Sequence, residues 1–337
     1  MIEARQSSST MSEVAVLMAA YNGLPYLPAA VESIRAQTLR DWTLVIVDDG
    51  STDGSSDYLR GLDDPRIEII EQANQGLGLA LNRGLAACRA PLVARMDADD
   101  VAHPTRLAEQ VDFMRRHPEV GLLGTQIQRL GSRRIGTASV LATRHRDIVR
   151  DLLDGKPAMY HPTVMFRTQL AHEIGGYWAK VLGEEWDFFL RMAERAELAN
   201  LDRVLLSYRI HTGSLTGANM RQMRWSVAYA IDCACRRQAG EVSVAYDTWC
   251  ASQAQLSFWR RATERVEMYA RCQYRIALGE LLGSHPWRGY ARLGLSAACS
   301  PKLTSQRVWA VAAKWGTRVR QWSKPWTANT ATTGGNS

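Results

Sequence analysis

From Val14 onward the chain alternates short apolar runs with segments whose apolar residues recur at helical spacing. That alternation is the pattern of a layered α/β domain with a mainly parallel sheet. "VAVLMA" (14–19) predicts a first buried strand, and "LPYLPAAVESIRAQT" its helix, with Leu27, Ala30, Val31 and Ile34 on one face. "WTLVIVD" (42–48) and "RIEII" (67–71) predict the second and third strands, and "LALNRGLAAC" a helix leading into a fourth at "PLVARMD". "PTRLAEQVDFMRR" predicts a helix with Pro104 in its first turn, followed by a strand at "VGLLGTQIQ". After residue 144 the pattern is mixed: a helix near 146–153, a strand at "TVMFR", a helix at "EWDFFLRMAERA" and a strand at "RVLLSYRI". Beyond Gly217 it is almost wholly helical. The expected organisation is a disordered N-terminus (1–12), a layered domain (13–216), a helical region (217–326) and a disordered tail (327–337).

In such sheets ligands bind beyond the carboxyl ends of the strands, and the loops after strands one, two and four read "AYNG", "DDGSTD" and "DADD". The last places Asp97, Asp99 and Asp100 at the tip of an apolar strand, where mutual repulsion and desolvation are costly unless a cation or a set of donors compensates. A dication is the first candidate, and a solvated acidic turn the ordinary alternative. For Asp49 the ordinary alternative is an Asx turn with Ser51 and Thr52, and for Asp53 it is a cap on "GSSDYLRGL". Other nucleotide patterns fail. "GLGLAL" has Leu81 at the third glycine position and follows no clear first strand, and neither G-x-x-x-x-G-K-[ST] nor the glycine-rich loop of a sugar nucleotidyltransferase occurs.

Composition narrows the class. A chain of 337 residues with 46% hydrophobic content buries a large core. Its six cysteines show no C-x-x-C pair or regular spacing, so neither a zinc site nor a disulfide framework is indicated, and a reducing cytosol fits. "MIEARQSSSTMSE" has no apolar core of signal-peptide length, and no apolar run approaches the ~20 residues of a membrane span. The net charge of +7 hints at nucleic acid, but the eight Lys and Arg after Glu280 face no Asp or Glu, leaving the first 280 residues at −1. The basicity belongs to the tail alone.

The order "VLMAAYNG", "LVIVDDGSTDGS", "NQGLGLALNRGL", "VARMDADD", "GGYWAKVLGEEWDFFLRM" and "YRIHTGSLT" resembles family 2 glycosyltransferases of the GT-A fold, of the bacterial surface-polysaccharide kind, over about residues 13–216. The resemblance implies a nucleotide-sugar site in which Tyr21 and Asp49 meet the base, with Asn74 and Arg83 near the same face and Ala19 and Ala98 also among the residues at the nucleotide sugar. Asp97 then approaches the ribose and the metal, and Asp99 ligates the metal directly. Mg2+ or Mn2+ held by hard carboxylate oxygens and phosphate oxygens suits that cluster. In "GEEWDFF" the family usually has Glu-Asp, so Glu185 stands at the catalytic aspartate's place as the expected base, with Asp187 the substitute. For Glu184 and Asp187 the ordinary alternative is first-turn charge on a helix dipole. Trp186 is expected to wall the sugar or acceptor, against an alternative of core packing with Phe189 and Leu190. His211, with Ser214, is expected near the metal or diphosphate, and His161 near the acceptor or as a strand cap. Ala19 and Ala20 precede Tyr21 where the family commonly has Pro-Thr or Pro-Ala, which removes a hydroxyl contact to the base.

The expected activity is metal-dependent, inverting transfer from a nucleotide sugar, UDP-linked by preference, to a glycan or lipid-linked acceptor. On a helix, Val308, Val311, Ala312, Trp315, Val319 and Trp322 share one face flanked by Arg307, Lys314 and Arg318, so residues 305–324 read as a basic amphipathic helix for an anionic membrane surface or as a stripe packed on the catalytic domain. The expected location is the cytoplasm, peripherally on the inner face of the membrane. The rival readings are a catalytically silent nucleotide-sugar binder and a nucleic-acid binder acting through the tail. The near-neutral body and the absence of a recognition motif count against the second, and no nucleic acid is expected.

Overall fold

The computed structural model describes residues 12–131, 135–179, 183–210, 217–254, 258–283 and 286–301. Its strands are β1 (Val14–Ala20), β2 (Trp42–Asp48), β3 (Ile67–Glu71), β4 (Leu92–Asp97), β5 (Val101–Ala102), β6 (Val120–Leu130), β7 (Ile135–Ala138), β8 (Met165–Arg167) and β9 (Glu197–Arg209). The helices are α1 (Leu27–Arg35), α2 (Ser55–Arg60), α3 (Leu77–Ala87), α4 (Arg106–Arg116), α5 (His145–Leu153), α6 (Thr168–Glu173), α7 (Glu184–Ala193), α8 (Gly217–Gln238), α9 (Tyr246–Ala254), α10 (Phe258–Leu282) and α11 (Pro286–Cys299), with a short 3-10 turn at His161–Thr163.

One sheet runs in the order β3-β2-β1-β4-β8-β6-β9-β5, and β7 pairs with β6. The long ladders β1·β2, β1·β4, β2·β3 and β6·β9 are parallel, while β8 lies antiparallel between β4 and β6 and joins the two parallel parts. β1 reads as an unbroken apolar run because both faces are covered. Ala15 and Leu17 join a core with Leu81 and Leu85 of α3 and Phe188 and Phe189 of α7. Val14, Val16 and Met18 join the opposite core with Val31 and Ile34 of α1 and Leu107 and Val111 of α4. Helix α3 lies so close to the sheet that a Cβ on Gly84 would clash with Leu17 and come within 2.9 Å of Val47 Cγ2.

Two expectations are corrected. Pro104 is not in the first turn of its helix: Thr105 is the N-cap of α4, and the Pro104 carbonyl instead accepts from Thr38 N at 2.8 Å. The strand expected at "RVLLSYRI" begins at Glu197, six residues earlier, because Glu197–Leu201 pair with Val120–Thr125 before an irregularity at Thr125/Gln126 lets the ladder resume at Val204.

The sheet register fixes the functional edge. Ala20 stands beside Asp48, Ala19 beside Asp97 and Asp48 beside Glu71, so β1, β2, β3 and β4 end at one level and their loops share one rim.

Candidate active site at the carboxyl ends of the strands

The β1 and β2 loops are tied together by short polar side chains. Asn22 adopts a left-handed φ of 50°, which asparagine tolerates. Its N–H donates to Ser51 Oγ at 3.0 Å and its Oδ1 accepts from Thr52 N at 2.7 Å. Asp53 accepts from Leu24 N at 3.0 Å with one oxygen, and from Ser55 N and Ser55 Oγ with the other. Asp53 therefore ties Ser55 at the start of α2, whose N-cap is Gly54, to the β1 loop. Asp49 is 4% exposed, and its carboxylate accepts from Gln72 Nε2 at 2.7 Å, Gln75 N at 2.9 Å and Gly76 N at 2.8 Å. Gln72 in turn accepts from Arg83 Nη1 at 3.3 Å. Tyr21 remains 54% exposed on this rim, and Asn74 is also exposed. A Cβ on Gly23 would lie 3.9 Å from Ala98 Cβ, so the β1 loop also abuts the β4 loop.

In that β4 loop, carboxylate oxygens of Asp97, Asp99 and Asp100 lie within 4.8 Å of one another. Asp100 is 1% exposed: Oδ1 accepts from Arg209 N at 2.8 Å, whereas Oδ2 is buried without a hydrogen-bond partner. Burial, followed by the charges of Asp97 and Asp99, pushes its pKa well above the ordinary carboxylate value. Arg209 also donates from Nε to the Asp99 carbonyl at 2.8 Å and lies over the Tyr26 ring at 4.6 Å, pinning the loop to the end of β9. Three hard oxygen donors, with one buried oxygen unpartnered, are the donor set that Mg2+ or Mn2+ prefers, so these residues fit a dication.

Behind the cluster stands Arg95, 2% exposed on β4, whose Nη2 lies 2.6 Å from Asp97 Oδ1 while Nε and Nη1 have no hydrogen-bond partner. Burial opposes the guanidinium charge, but Asp97 and neighbouring anions outweigh it and raise the pKa. Among those anions is Glu184, the first residue of α7, which is 3% exposed. Burial, then the charge of Glu185, pushes Glu184 up to about 8. His161 Nδ1 is 3.9 Å from Glu184 Oε1, and Nε2 is 3.2 Å from the Tyr177 hydroxyl. Burial, with Arg95 nearby, holds His161 well below its usual value and hence neutral. His161, Glu184 and Glu185 also gather within 4.8 Å. The β4 end and the α7 start thus form one electrostatic unit: acidic at both ends, with a buried arginine between.

Comparisons with known proteins identify the family and the fold. The model of glycosyl transferase family 2 matches residues 15–175. The amylovoran biosynthesis glycosyltransferase AmsE of Erwinia amylovora is 31% identical over 190 residues, covering 54% of this chain and 70% of that protein. The chain belongs to glycosyltransferase family 2. The O-antigen biosynthesis glycosyltransferase WbnJ of Escherichia coli is 29% identical over 60% of this chain and 81% of that protein. An uncharacterized glycosyltransferase of Nostoc sp. is 42% identical over 114 residues, 33% of this chain but only 35% of that relative's length. Among solved structures, S. aureus TarS in complex with UDP-GlcNAc superposes with a TM-score of 0.58 at 14% identity, covering 88% of this chain and 92% of that one. The mannosyltransferase PcManGT from Pyrobaculum calidifontis, in complex with GDP-Man and Mn2+, gives 0.52 at 17% identity, covering 92% and 82%. At such identities these two show the fold alone: the transferase has the GT-A architecture.

Within this family 2 transferase the residues singled out from sequence are placed unevenly. Asp97, Ala98 and Asp99 share the β4 loop, Ala19 ends β1 beside Asp97, and Glu185 lies in the first turn of α7. Three side chains are spent differently from expectation. Asp49 is occupied by three donors from its own neighbourhood, so it shapes the 72–76 loop and has little capacity left for a base. Asp187 takes Arg191 Nε at 2.7 Å and Nη2 at 2.6 Å, an ion pair within α7, and Arg191 also donates to the Gly176 carbonyl. Trp186 donates from its indole to the Leu152 carbonyl at 3.2 Å and packs on the core, as the core-packing alternative has it. His211, Ser214 and the helix expected at 305–324 lie outside the described residues. Sequence reasoning missed Arg95, Gln72 and Arg209. The signal for Arg95 was legible: a charge inside the apolar strand "LVARMD" must have a buried anion to meet.

Proposed function

We propose that this transferase moves a sugar from a nucleotide sugar, a UDP-sugar in the first instance, onto a hydroxyl of a glycan or lipid-linked acceptor in surface-polysaccharide synthesis, with inversion at C1. The observation that carries the reading is the pairing of the Asp97-Asp99-Asp100 cluster with the Glu184-Glu185 pair across buried Arg95. AmsE and WbnJ are named for polysaccharide synthesis, and the TarS structure holds UDP-GlcNAc.

In this proposal Tyr21 offers an exposed ring to the base, and the Asp49-Gln72-Arg83 chain fixes the 72–76 loop, including Asn74, beside it. Asp97 and Asp99, with Asp100 behind them, hold a dication, which when bound offsets the charge that develops on the departing diphosphate. Glu185 accepts the acceptor's hydroxyl proton as its oxygen bonds to C1 and the C1–phosphate bond breaks, and a single displacement inverts the centre. Adjacent carboxyls divide the labour: Glu184, pushed up to about 8, holds a proton at neutral pH and leaves the basic role to Glu185. Among the described residues no helix is long and apolar enough to cross a membrane, so a lipid-linked acceptor is reached from a bilayer surface, with residues 305–324 as the proposed contact at the inner face.

The test is a screen of nucleotide sugars with Mn2+, scoring release of nucleoside diphosphate, with Asp99→Ala and Glu185→Gln as controls. Release that depends on Mn2+ and falls in both variants supports the reading. Release unaffected by either contradicts the site, and UDP binding without any release identifies a silent binder.

A further inference from the structure

Helix α11 (Pro286–Cys299) turns its apolar stripe outward. Its inner face is committed to α10: a Cβ on Gly289 would come within 2.9 Å of the Ala277 carbonyl, buried Ser296 donates to the Ala270 carbonyl at 2.8 Å, and Arg292 Nε reaches Glu280 at 3.0 Å. The other side presents Trp287 at 66%, Tyr290 at 69% and Leu295 at 42% exposure. Exposed Ala291, Gly294 and Ala298 fill the gaps, so positions 287, 290, 291, 294, 295 and 298 form one stripe at helical spacing with no polar side chain in it. Arg288 flanks it, with its guanidinium 5.2 Å from the Trp287 ring. A contiguous aromatic stripe facing water calls for an occupant.

Charge selects which one. After Glu280 the chain carries eight Lys and Arg and no Asp or Glu, whereas the first 280 residues sum to −1. A second copy offers this stripe another basic helix, and the body offers almost no net charge. An anionic lipid surface complements both properties: tryptophan and tyrosine favour the headgroup boundary, and basic side chains its phosphates. We propose that α11 lies flat on an anionic bilayer, with Trp287, Tyr290 and Leu295 inserted at the headgroup boundary and Arg288 among the headgroups. This rests on the membrane part of the reading above and extends it to a second element: the apolar contact is the exposed face of α11, while the charge complement includes the lysines and arginines of residues 305–324.

The experiment is flotation of the full chain with vesicles of phosphatidylcholine alone or mixed with phosphatidylglycerol. Three variants are compared with wild type: W287S/Y290S, W287F/Y290F, and one with Lys314, Arg318, Arg320 and Lys324 changed to glutamine. Wild type floats with the anionic vesicles only. W287S/Y290S loses about tenfold or more in partitioning, since two interfacial rings are removed, and W287F/Y290F retains binding. Nucleoside diphosphate release in the presence of a soluble acceptor stays unchanged in W287S/Y290S, which shows that the variant is folded. The idea is overturned if W287S/Y290S floats as wild type does, if wild type ignores anionic vesicles, or if wild type is a dimer that this variant dissociates. A fall in W287S/Y290S with none in the glutamine variant keeps α11 and removes residues 305–324 from the contact.

Discussion

Asp97 serves two masters: its Oδ1 is held at 2.6 Å by buried Arg95, while 30% of the side chain stays open to a ligand. Replacing Arg95 by methionine leaves Asp97 without its buried cation. Because Asp97 is partly exposed, the cost belongs at the low end of that for a broken buried pair, about 3 kcal/mol, read as a lower urea midpoint at unchanged m-value. Asp99→Ala is expected to cut Mn2+-dependent diphosphate release by about 10²-fold or more with little change in the melting temperature, and Glu185→Gln to lower kcat by about 10²–10⁴-fold while nucleotide affinity holds. Glu184 links stability to pH. Its folded pKa is raised from 4.5 to about 8, so between those values the folded state keeps a proton that the unfolded chain releases. Its stabilising contribution is complete below pH 4.5, is lost as pH climbs toward 8, and changes no further above it. Urea midpoints measured from pH 5 to 9 without ligand should decline, and the decline should flatten in Glu184→Gln. At this scale the sequence showed Asp97, Asp99 and Glu185, whose residue types announce their chemistry. It did not show that Asp49 and Asp187 were already engaged, because the engaging donors come from Gln75 and Gly76 backbone 26 and 27 residues away and from an arginine one turn along a helix.

At the scale of elements, the four strands that carry the site were legible because a parallel sheet covered on both faces leaves unbroken apolar runs bounded by turn residues. The same logic found β8 within "TVMFR" but failed for β5, two residues long, since so short a segment carries no periodicity and gains its identity only from the neighbour it pairs with. The start of β9 was hidden because Asp202 and Arg203, at the ladder's irregularity, separate Glu197–Leu201 from the apolar run that follows. Helix α3 positions Arg83 and the 72–76 loop, and it sits where it does because Gly84 admits Leu17 and Val47. Gly84→Ala should therefore destabilise the protein by about 1–3 kcal/mol despite its better helix propensity, and thermal or urea melts of the pair decide it. A neutral or stabilising outcome would mean that α3 does not press on β1 and β2 as closely as described.

For the whole molecule, sequence charge and fold divide the chain the same way: a nearly neutral body whose strand ends gather carboxylates, and a basic, acid-free stretch after Glu280 that begins with outward-facing α11. That division was legible from the distribution of Lys, Arg, Asp and Glu. The outward stripe was not, because helical periodicity in sequence reports an apolar face without saying whether a neighbour covers it. The central claim, that the carboxylates of the β4 loop receive a dication and a nucleotide diphosphate together, is tested most directly by isothermal titration calorimetry of UDP into the full chain with and without Mn2+. The account predicts UDP affinity at least about tenfold higher with Mn2+, an enhancement that disappears in Asp99→Ala. Equal UDP affinity with and without Mn2+, or an enhancement that survives in Asp99→Ala, would contradict it.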